Sequence, residues 1–329
     1  MSDTRAFQAL VETVGERVTT RLVDVEQRLN EIVEVRDPVA AEPGLITLRA
    51  GGKRLRPLLV LMCGAIEGAT PEQAEALFRA AAAVELVHMA TLVHDDVLDD
   101  AALRRGRPTV YASHGRDAAI TTGDMLFALA FEELTKSGDP EQVRALSDAS
   151  SGLARGELLQ REDAWNASVS RERYILRCTL KTARLFEAAA RLGAHAGGRP
   201  QLADTLAEFG AKVGLAFQLA DDVLDVVATT EQTGKTRGAD LLDGTVNLPL
   251  IVAAERDPSL RELDLRAIET PEQASAACDR IAATGSPDVV LEEARTLVAD
   301  AKALLADTIG VAERAMLASI ADQAVARSK

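Results

Sequence analysis

Apolar residues recur every three or four positions through most of the chain, the spacing that places them on one face of an α-helix. The first such stripe consists of Leu10, Val14, Val18, Leu22, Val25 and Leu29. A second helix is predicted over residues 74–91, beginning near Thr70-Pro71-Glu72, because proline suits the first turn of a helix. Further helices are predicted approximately over residues 121–136, 139–165, 170–196, 202–227, 247–256 and 287–308.

Glycine and proline cluster between these segments, where they are typical of loops. The clusters lie at residues 51–52, 106–108, 137–140, 197–200 and 234–244. No alternating pattern of useful length predicts a strand, and no low-complexity linker or internal repeat divides the sequence. We therefore predict an all-α fold, a single large helical bundle in which residues 1–329 form one domain.

The composition agrees with helices and limits the classes of partner. Hydrophobic residues make up 47% of the chain but aromatic residues only 3%, so alanine and aliphatic side chains dominate. The formal net charge of -14 argues against a broad nucleic-acid surface, which needs clustered lysine and arginine. An acidic protein can still hold an anionic substrate where a metal or a few local cations supply positive charge.

The cysteines and the N-terminus bear on the compartment. Cys63, Cys178 and Cys278 have no CxxC spacing, and we interpret each as a core residue of a reduced protein. The first 20 residues carry charges that are typical of neither a signal peptide nor an anchor. We find no stretch of about 20 apolar residues that predicts a transmembrane segment. These features predict a cytoplasmic protein.

The string Asp-Asp-Val-Leu-Asp occurs twice, each time after an apolar helical stretch. Its first and last carboxylates lie four residues apart on one helix face, and they are Asp95 and Asp99, then Asp221 and Asp225. Like charges at this spacing repel, unless a hard cation such as Mg²⁺ binds both. Either string alone suits a solvated acidic face, and neither has the D-x-D-x-D-G pattern of a calcium loop. Their repetition favours a metal site.

Four basic groups accompany these aspartates. They are Lys53, Arg54 and Arg56; Arg104, Arg105 and Arg107; Lys181, which precedes Thr182; and Lys235 with Arg237. Any one of them alone is ordinary surface charge. Together, just beyond acidic or apolar helices, they suit a pocket for Mg²⁺ and two diphosphates, because arginine grips phosphate in a fork and lysine acts as a point charge.

The ordered motifs resemble those of the all-trans polyprenyl diphosphate synthases. They are G-G-K-R-L-R-P at 51–57, E-L-V-H at 85–88, H-D-D-V-L-D-D at 94–100, R-R-G-R-P-T at 104–109, K-T-A at 181–183, F-Q-L-A-D-D-V-L-D at 217–225 and G-K at 234–235. The resemblance implies a helical bundle of the isoprenoid synthase type with a central active-site cavity. It also implies a homodimer that condenses isopentenyl diphosphate with an allylic diphosphate in the presence of Mg²⁺.

The same resemblance assigns roles to individual residues. Catalytic roles fall to Asp95, Asp99, Lys181, Asp221 and Asp225, whose four aspartates would bind Mg²⁺. The diphosphate of isopentenyl diphosphate would be bound by Lys53, Arg56, His88 and Arg105. The allylic substrate would be surrounded by Arg104, Lys181, Thr182, Gln218 and Lys235. Without the motif, His88 is an ordinary core histidine, and His94 keeps that structural interpretation. Asp96 and Asp222 would lie behind the metal ligands or bind metal occasionally.

One segment departs from the family pattern. Relatives commonly have G-K-x-T-L-P where this chain has Gly244-Thr245-Val246-Asn247-Leu248-Pro249. Thr245 replaces the lysine and Asn247 the threonine. One phosphate contact is therefore weaker or is supplied by another residue.

The residues before Asp95 bear on product length. In this family, bulky residues four and five positions before the first aspartate close the pocket early. Here those positions are Thr91 and Ala90, both small, so we predict a geranylgeranyl or longer product. Phe127 or Phe131 is then either the floor of the pocket or plain core.

Two other functions stay open from the sequence. A terpene cyclase on the same fold would use one diphosphate, so the isopentenyl-site residues Lys53, Arg56 and Arg105 argue against it. A non-catalytic subunit of a heteromeric prenyl synthase would be expected to have degraded aspartate motifs, and these motifs are intact.

Overall fold

The structure is a computed structural model that describes residues 16–34, 38–229, 236–306 and 308–326. Leu10, Val14 and Lys235 from the sequence predictions lie outside the described residues. Within the described ranges the α-helices are α1 (Glu16–Glu34), α2 (Pro38–Arg49), α3 (Leu55–Cys63), α4 (Pro71–Leu98), α5 (Val110–His114), α6 (Arg116–Thr135), α7 (Pro140–Asp163), α8 (Arg171–Cys178), α9 (Arg184–Ala196), α10 (Ala203–Val227), α11 (Ala239–Leu242), α12 (Leu248–Arg256), α13 (Pro271–Ala283), α14 (Ser286–Leu304) and α15 (Val311–Val325).

Short irregular elements connect some of these helices. A π-helix, Thr179–Ala183, joins α8 to α9, and 3₁₀ turns occupy Ile66–Gly68, Pro200–Leu202, Pro258–Glu262 and Leu265–Ala267. Strands β1 (Leu103–Arg104) and β2 (Arg107–Pro108) pair antiparallel in a hairpin. The predicted all-α fold is confirmed, and this hairpin of two-residue strands is the exception among the described residues.

The core is built around α4 and α10. Helix α4 packs against α6, and α10 packs against both α9 and α14. The buried hydrophobic residues form one cluster that includes residues from Leu22 to Ala324. Glycine lets some elements approach closely, since a Cβ at Gly193 would lie 2.3 Å from the carbonyl oxygen of Val60. All three cysteines are buried and free, as predicted.

Helix α4 delivers the first aspartate cluster. Its start is as predicted: the side chain of Thr70 accepts a hydrogen bond from the backbone N–H of Gln73 in a capping box, and Pro71 opens the helix. The helix continues beyond the predicted end at residue 91, and Asp99 is its C-terminal cap. By length and composition it is apolar enough to span a membrane, but 67% of its apolar window is buried in the protein.

The helix predicted over residues 170–196 is continuous from residue 171 to residue 196, but it contains a π-helical segment that was not predicted. This segment lies at Lys181, with one extra residue in a turn. Gly156 of α7 approaches so closely that a Cβ there would lie 2.6 Å from the backbone nitrogen of Lys181. The π-helical segment therefore holds Lys181 directly beside α7.

Candidate active site

The two aspartate clusters meet at one cavity of about 230 Å³, which we call the acidic cavity. Its carboxylates are Asp99 from the first cluster, Asp222 from the second, and Asp240 and Asp243 from the segment around α11. Its cations are Arg161 on α7, Arg177 on α8 and Lys181 on the π-helix. Residues far apart in sequence thus form a charged site between α4, α7, α8 and α10.

The first cluster buries its middle aspartate, whereas the first aspartate is half-buried and the last is exposed. Asp96 is 3% exposed, accepts a hydrogen bond from Nε of Arg104 at 2.8 Å and lies 2.7 Å from a terminal nitrogen of the same guanidinium. Asp99 is exposed and lies 2.6 Å from the guanidinium of Arg161. Asp95 is half-buried, and burial raises its pKa to about 6, although the charge of Lys181 opposes the shift. Asp95 is therefore close to Lys181, although α4 and the π-helix are distant in sequence.

The second cluster, on α10, also buries its middle aspartate. The buried carboxylate of Asp222 accepts hydrogen bonds from the hydroxyl of Tyr174 at 2.5 Å, the amide of Gln218 at 2.8 Å and the backbone N–H of Leu248 at 3.2 Å. Burial, followed by the charge of Asp240, raises the pKa of Asp222 to about 7. Protein donors thus hold the middle aspartate here as well.

Asp225 contrasts with Asp222 on the same helix. Burial and the charge of Asp240 raise its pKa to about 8, although the backbone N–H groups of Asp240 and Ala239 donate to its carboxylate. Its Oδ2 is buried and has no hydrogen-bond partner among the described residues. Asp221 lies one turn earlier and is half-buried. The Oδ2 atom of Asp225 can therefore accept a bond from a ligand.

A second charged group lies around His88, and we call it the cationic cluster: Arg54, Arg56, Arg104 and Arg105. Burial, followed by the charges of its four arginines, holds the pKa of His88 well below its usual range. His88 is therefore neutral at physiological pH.

Two contacts fix the loop that carries this cluster. Arg105 donates to the carbonyl of Gly51, and a Cβ at Gly52 would lie 2.8 Å from that guanidinium. Gly52 has a φ of 156°, a conformation that residues with a Cβ rarely adopt, so the backbone favours glycine there. Arg56 places its guanidinium carbon 4.6 Å from the ring centroid of Phe186.

Arg54, between Lys53 and Arg56, is held by two glutamates of the protein. It is 8% exposed and donates to Glu85 at 2.6 Å, to the carbonyl of Leu48 at 3.2 Å and to Glu26. Its φ of 48° is in the left-handed region, which turns the chain at the start of α3. Arg54 thus anchors the loop to α1 and α4.

Residues of the predicted allylic site also meet. Lys181 pairs with Glu157, and the hydroxyl of Thr182 donates to Gln218 at 2.8 Å. Lys181, Thr182 and Gln218 all line the acidic cavity. Arg104, assigned to the same substrate, is held by Asp96.

Sequence reasoning missed several residues of this site, namely Glu157, Arg161, Tyr174, Arg177, Asp240 and Asp243. Asp240 and Asp243 belong to the glycine-rich stretch 234–244. Their position after Lys235 and Arg237 could have identified them as candidate site residues. The others sit on regular helices, where a single polar residue is usually surface.

The donor set suits a divalent cation shared with a substrate. No three His, Cys, Asp or Glu side chains in the described ranges are grouped closely enough to hold a metal alone. Mg²⁺ often uses one or two carboxylates together with substrate phosphates and water. The paired carboxylates, and the unsatisfied Oδ2 of Asp225, fit that kind of binding.

A larger depression of about 350 Å³ lies on the surface of α1, lined by Asp24, Gln27, Arg28, Glu31 and Phe78. It contains neither aspartate cluster, so we place the chemistry in the smaller acidic cavity.

The sequence matches the polyprenyl synthetase family over residues 37–284, which is most of the chain, and the chain belongs to that family. Heptaprenyl diphosphate synthase component 2 of Geobacillus stearothermophilus is 41% identical over 233 residues, 70% of this chain and 72% of that protein. Geranylgeranyl diphosphate synthase of Methanosarcina mazei is 33% identical over 325 residues, 97% of this chain and 99% of that protein.

Solved structures agree with these relatives. The crystal structure of a polyprenyl synthase from Caulobacter crescentus CB15, complexed with calcium and isoprenyl diphosphate, matches with a TM-score of 0.88. Its sequence is 34% identical, and the match covers 97% of this chain and 98% of that one. The protein is thus a polyprenyl diphosphate synthase, a transferase of prenyl groups in isoprenoid biosynthesis.

Proposed function

We propose that this enzyme condenses isopentenyl diphosphate with an allylic diphosphate, in the presence of Mg²⁺, to make a linear all-trans diphosphate of geranylgeranyl length or longer. One observation carries the proposal: Asp99 and Asp222, one from each aspartate cluster, line the same cavity. A two-substrate reaction also needs a second anion site, and the cationic cluster around His88 supplies it.

The flanking aspartates would hold the metal. Asp95 and Asp99 present carboxylates from the end of α4, and Asp221 and Asp225 present them from α10. When bound, Mg²⁺ would stabilise the negative charge that develops on the departing diphosphate. The middle aspartates, Asp96 and Asp222, keep the two helix ends in place through their protein hydrogen bonds.

The chain's own residues bind and orient the two substrates. In the reaction, the allylic C–O bond breaks and its electrons leave with the diphosphate. The double bond of isopentenyl diphosphate then forms the new C–C bond, and a proton passes to the released diphosphate. Lys181, Thr182 and Gln218 would orient the allylic group, while Lys53 and Arg56 would hold isopentenyl diphosphate.

Exclusion of water protects the carbocation-like intermediate. The buried side chains of Val93 and Val97 flank the first aspartates on α4, and Val223 and Val226 flank those on α10. They provide apolar walls next to the charged groups.

Thr91 supports a long product. It lies four residues before Asp95, hence on the same helix face, and it is half-buried, whereas Ala90 is fully buried. A small side chain at position 91 leaves the path along α4 open. Phe127 and Phe131 on α6 are half-buried candidates for the end of that path.

The homodimer and the cytoplasmic location stay predictions from the resemblance and the sequence. The Geobacillus relative is named as a component, which keeps a heteromeric enzyme as the second candidate. Turnover by the purified chain alone would favour a homomeric enzyme, and light scattering would give its mass.

The function is tested by incubating the purified chain with isopentenyl diphosphate and geranyl, farnesyl or geranylgeranyl diphosphate. By mass spectrometry we expect products of at least 20 carbons, about four isoprene units, because the side chain of Thr91, one helical turn before Asp95, is small. Chelator should abolish them and Mg²⁺ restore them. Farnesyl diphosphate as the final product would contradict the length, and chelator-resistant turnover would contradict the metal.

A further inference from the structure

Arg177 brings a buried positive charge to the acidic cavity, and no motif assigned it. It lies on α8 with 3% of its surface exposed. One terminal nitrogen donates to the carbonyl of Val246, and the other lies 3.4 Å from Asp163. Thr245 and Val246 line the cavity beside it.

The other two cations of the acidic cavity are already paired closely. Arg161 donates to Asp99 at 2.6 Å and to Glu157 at 2.7 Å. Lys181 also pairs with Glu157. An incoming anion must therefore compete with carboxylates for both of these cations.

The charge of Arg177 is compensated less well. Its carboxylate partner, Asp163, lies at a long distance and also accepts a hydrogen bond from Nε of Arg173. Because burial of an incompletely paired charge is unfavourable, an anion in the cavity would be stabilised beside Arg177.

The guanidinium of Arg177 also has donors available. Of its five N–H groups, hydrogen bonds to Asp163 and Val246 use two, and one to the sulfur of Cys178 uses another. The guanidinium carbon also lies 5.3 Å from the ring centroid of Tyr174. A guanidinium fork matches the oxygens of a phosphate group.

The residue at position 245 is a second reason to expect that another residue supplies a positive charge in this part of the cavity. Thr245 stands where the resembling family commonly has lysine, and its neighbour Val246 is the residue that Arg177 contacts. Arg177 thus reaches the same wall of the cavity from α8.

We propose that Arg177 binds the diphosphate of the allylic substrate in the acidic cavity and supplies the positive charge that position 245 lacks. This inference rests on the proposed function. A purely structural role, in which Arg177 only ties Val246 to α8, is the competing explanation.

The test compares the wild type with Arg177→Met, Thr245→Lys and the double variant. Calorimetry with inorganic pyrophosphate and Mg²⁺ should show binding weakened about tenfold by Arg177→Met, and restored to within about threefold of wild type by adding Thr245→Lys. The KM for the allylic diphosphate should follow the same pattern, with the KM for isopentenyl diphosphate changed less than about twofold.

Arg173→Met is the matched control, because Arg173 binds the same Asp163 but is 38% exposed and does not line the cavity. It should leave pyrophosphate affinity and both KM values unchanged. If Arg177→Met lowers only the melting temperature, or if Thr245→Lys fails to rescue binding, Arg177 is an anchor and the inference is wrong.

Two further results separate the possible failures. Should Arg177→Met not fold, Thr245→Lys alone must tighten pyrophosphate binding about threefold or more, and unchanged affinity overturns the inference. Absence of turnover by the wild type contradicts the proposed function instead, while the pyrophosphate measurements still decide the role of Arg177.

Discussion

The hydroxyl of Tyr174 lies 2.5 Å from a carboxylate oxygen of Asp222, and both side chains are buried. The backbone N–H of Leu248 donates to the same oxygen, and Gln218 donates to the other one. Asp225, one turn later, has a buried oxygen without a hydrogen-bond partner in the described part of the chain. The second aspartate cluster therefore combines a carboxylate held by protein with one that can accept a ligand.

Tyr174→Phe tests whether the hydrogen bonds to Asp222 stabilise the fold. Removing the hydroxyl deprives a buried carboxylate of a donor, so the free energy of unfolding should fall by about 1–3 kcal/mol. Urea unfolding measures it. Tyr111→Phe is the control, because its hydroxyl donates to the exposed Asp100 at 2.8 Å, and it should change stability little. Equal losses in the two variants would contradict the role of Asp222.

Asp95→Ala and Asp221→Ala test whether the flanking aspartates bind the metal. Each should lower kcat by a factor of about 10³ or more, because stabilisation of the departing diphosphate is lost. Steady-state assays at saturating Mg²⁺ measure this. Asp100→Asn is the control, since Asp100 follows the cluster, is exposed and has a φ of 48° that asparagine tolerates. Near-normal rates for both alanine variants would show that the metal assignment is wrong.

His88 should make the protein sensitive to acid. Burial and the neighbouring arginines hold its pKa well below the usual range. In the folded state the His88 side chain therefore stays unprotonated at pH values where a free histidine takes up a proton. The unfolded state takes up a proton as the pH falls through about 6.5, and the stabilisation present above that pH is lost below it.

The His88→Gln variant isolates this effect, because other groups titrate alike in both proteins. As the pH falls below about 6.5, the wild type should lose free energy of unfolding relative to the variant, by up to about 1.4 kcal/mol per pH unit. Urea unfolding between pH 7.5 and 5 measures the difference. A constant difference would mean that His88 is protonated in the folded state.

Thr91→Phe tests the path of the growing chain. The half-buried Thr91 shares a helix face with Asp95, so a phenyl ring there should shorten the product while the first condensation continues. Product mass measures the outcome. Thr121→Phe, at an exposed position of α6, is the control and should leave the product length unchanged. An unchanged distribution with Thr91→Phe would contradict the path along α4.

The sequence predicted the helices better than the contacts between them. Periodicity and the proline at position 71 located α4, because both signals are local. The π-helix at Lys181 was missed, since the packing of Gly156 against it is a contact between distant segments.

The site shows the same limit. The motifs named Lys53 and Arg56, but only the structure shows that Arg54 between them turns inward to Glu85. Asp240 was not assigned either, because its place beside Asp225 depends on how the segment after α10 folds back.

The release of inorganic pyrophosphate by the purified chain tests the central claim most directly. Condensation predicts release only when isopentenyl diphosphate and an allylic diphosphate are both present, with one pyrophosphate for each isoprene unit added to the product. Release from the allylic diphosphate alone, at a rate that isopentenyl diphosphate does not change, would contradict the account and indicate a cyclase or a hydrolase instead.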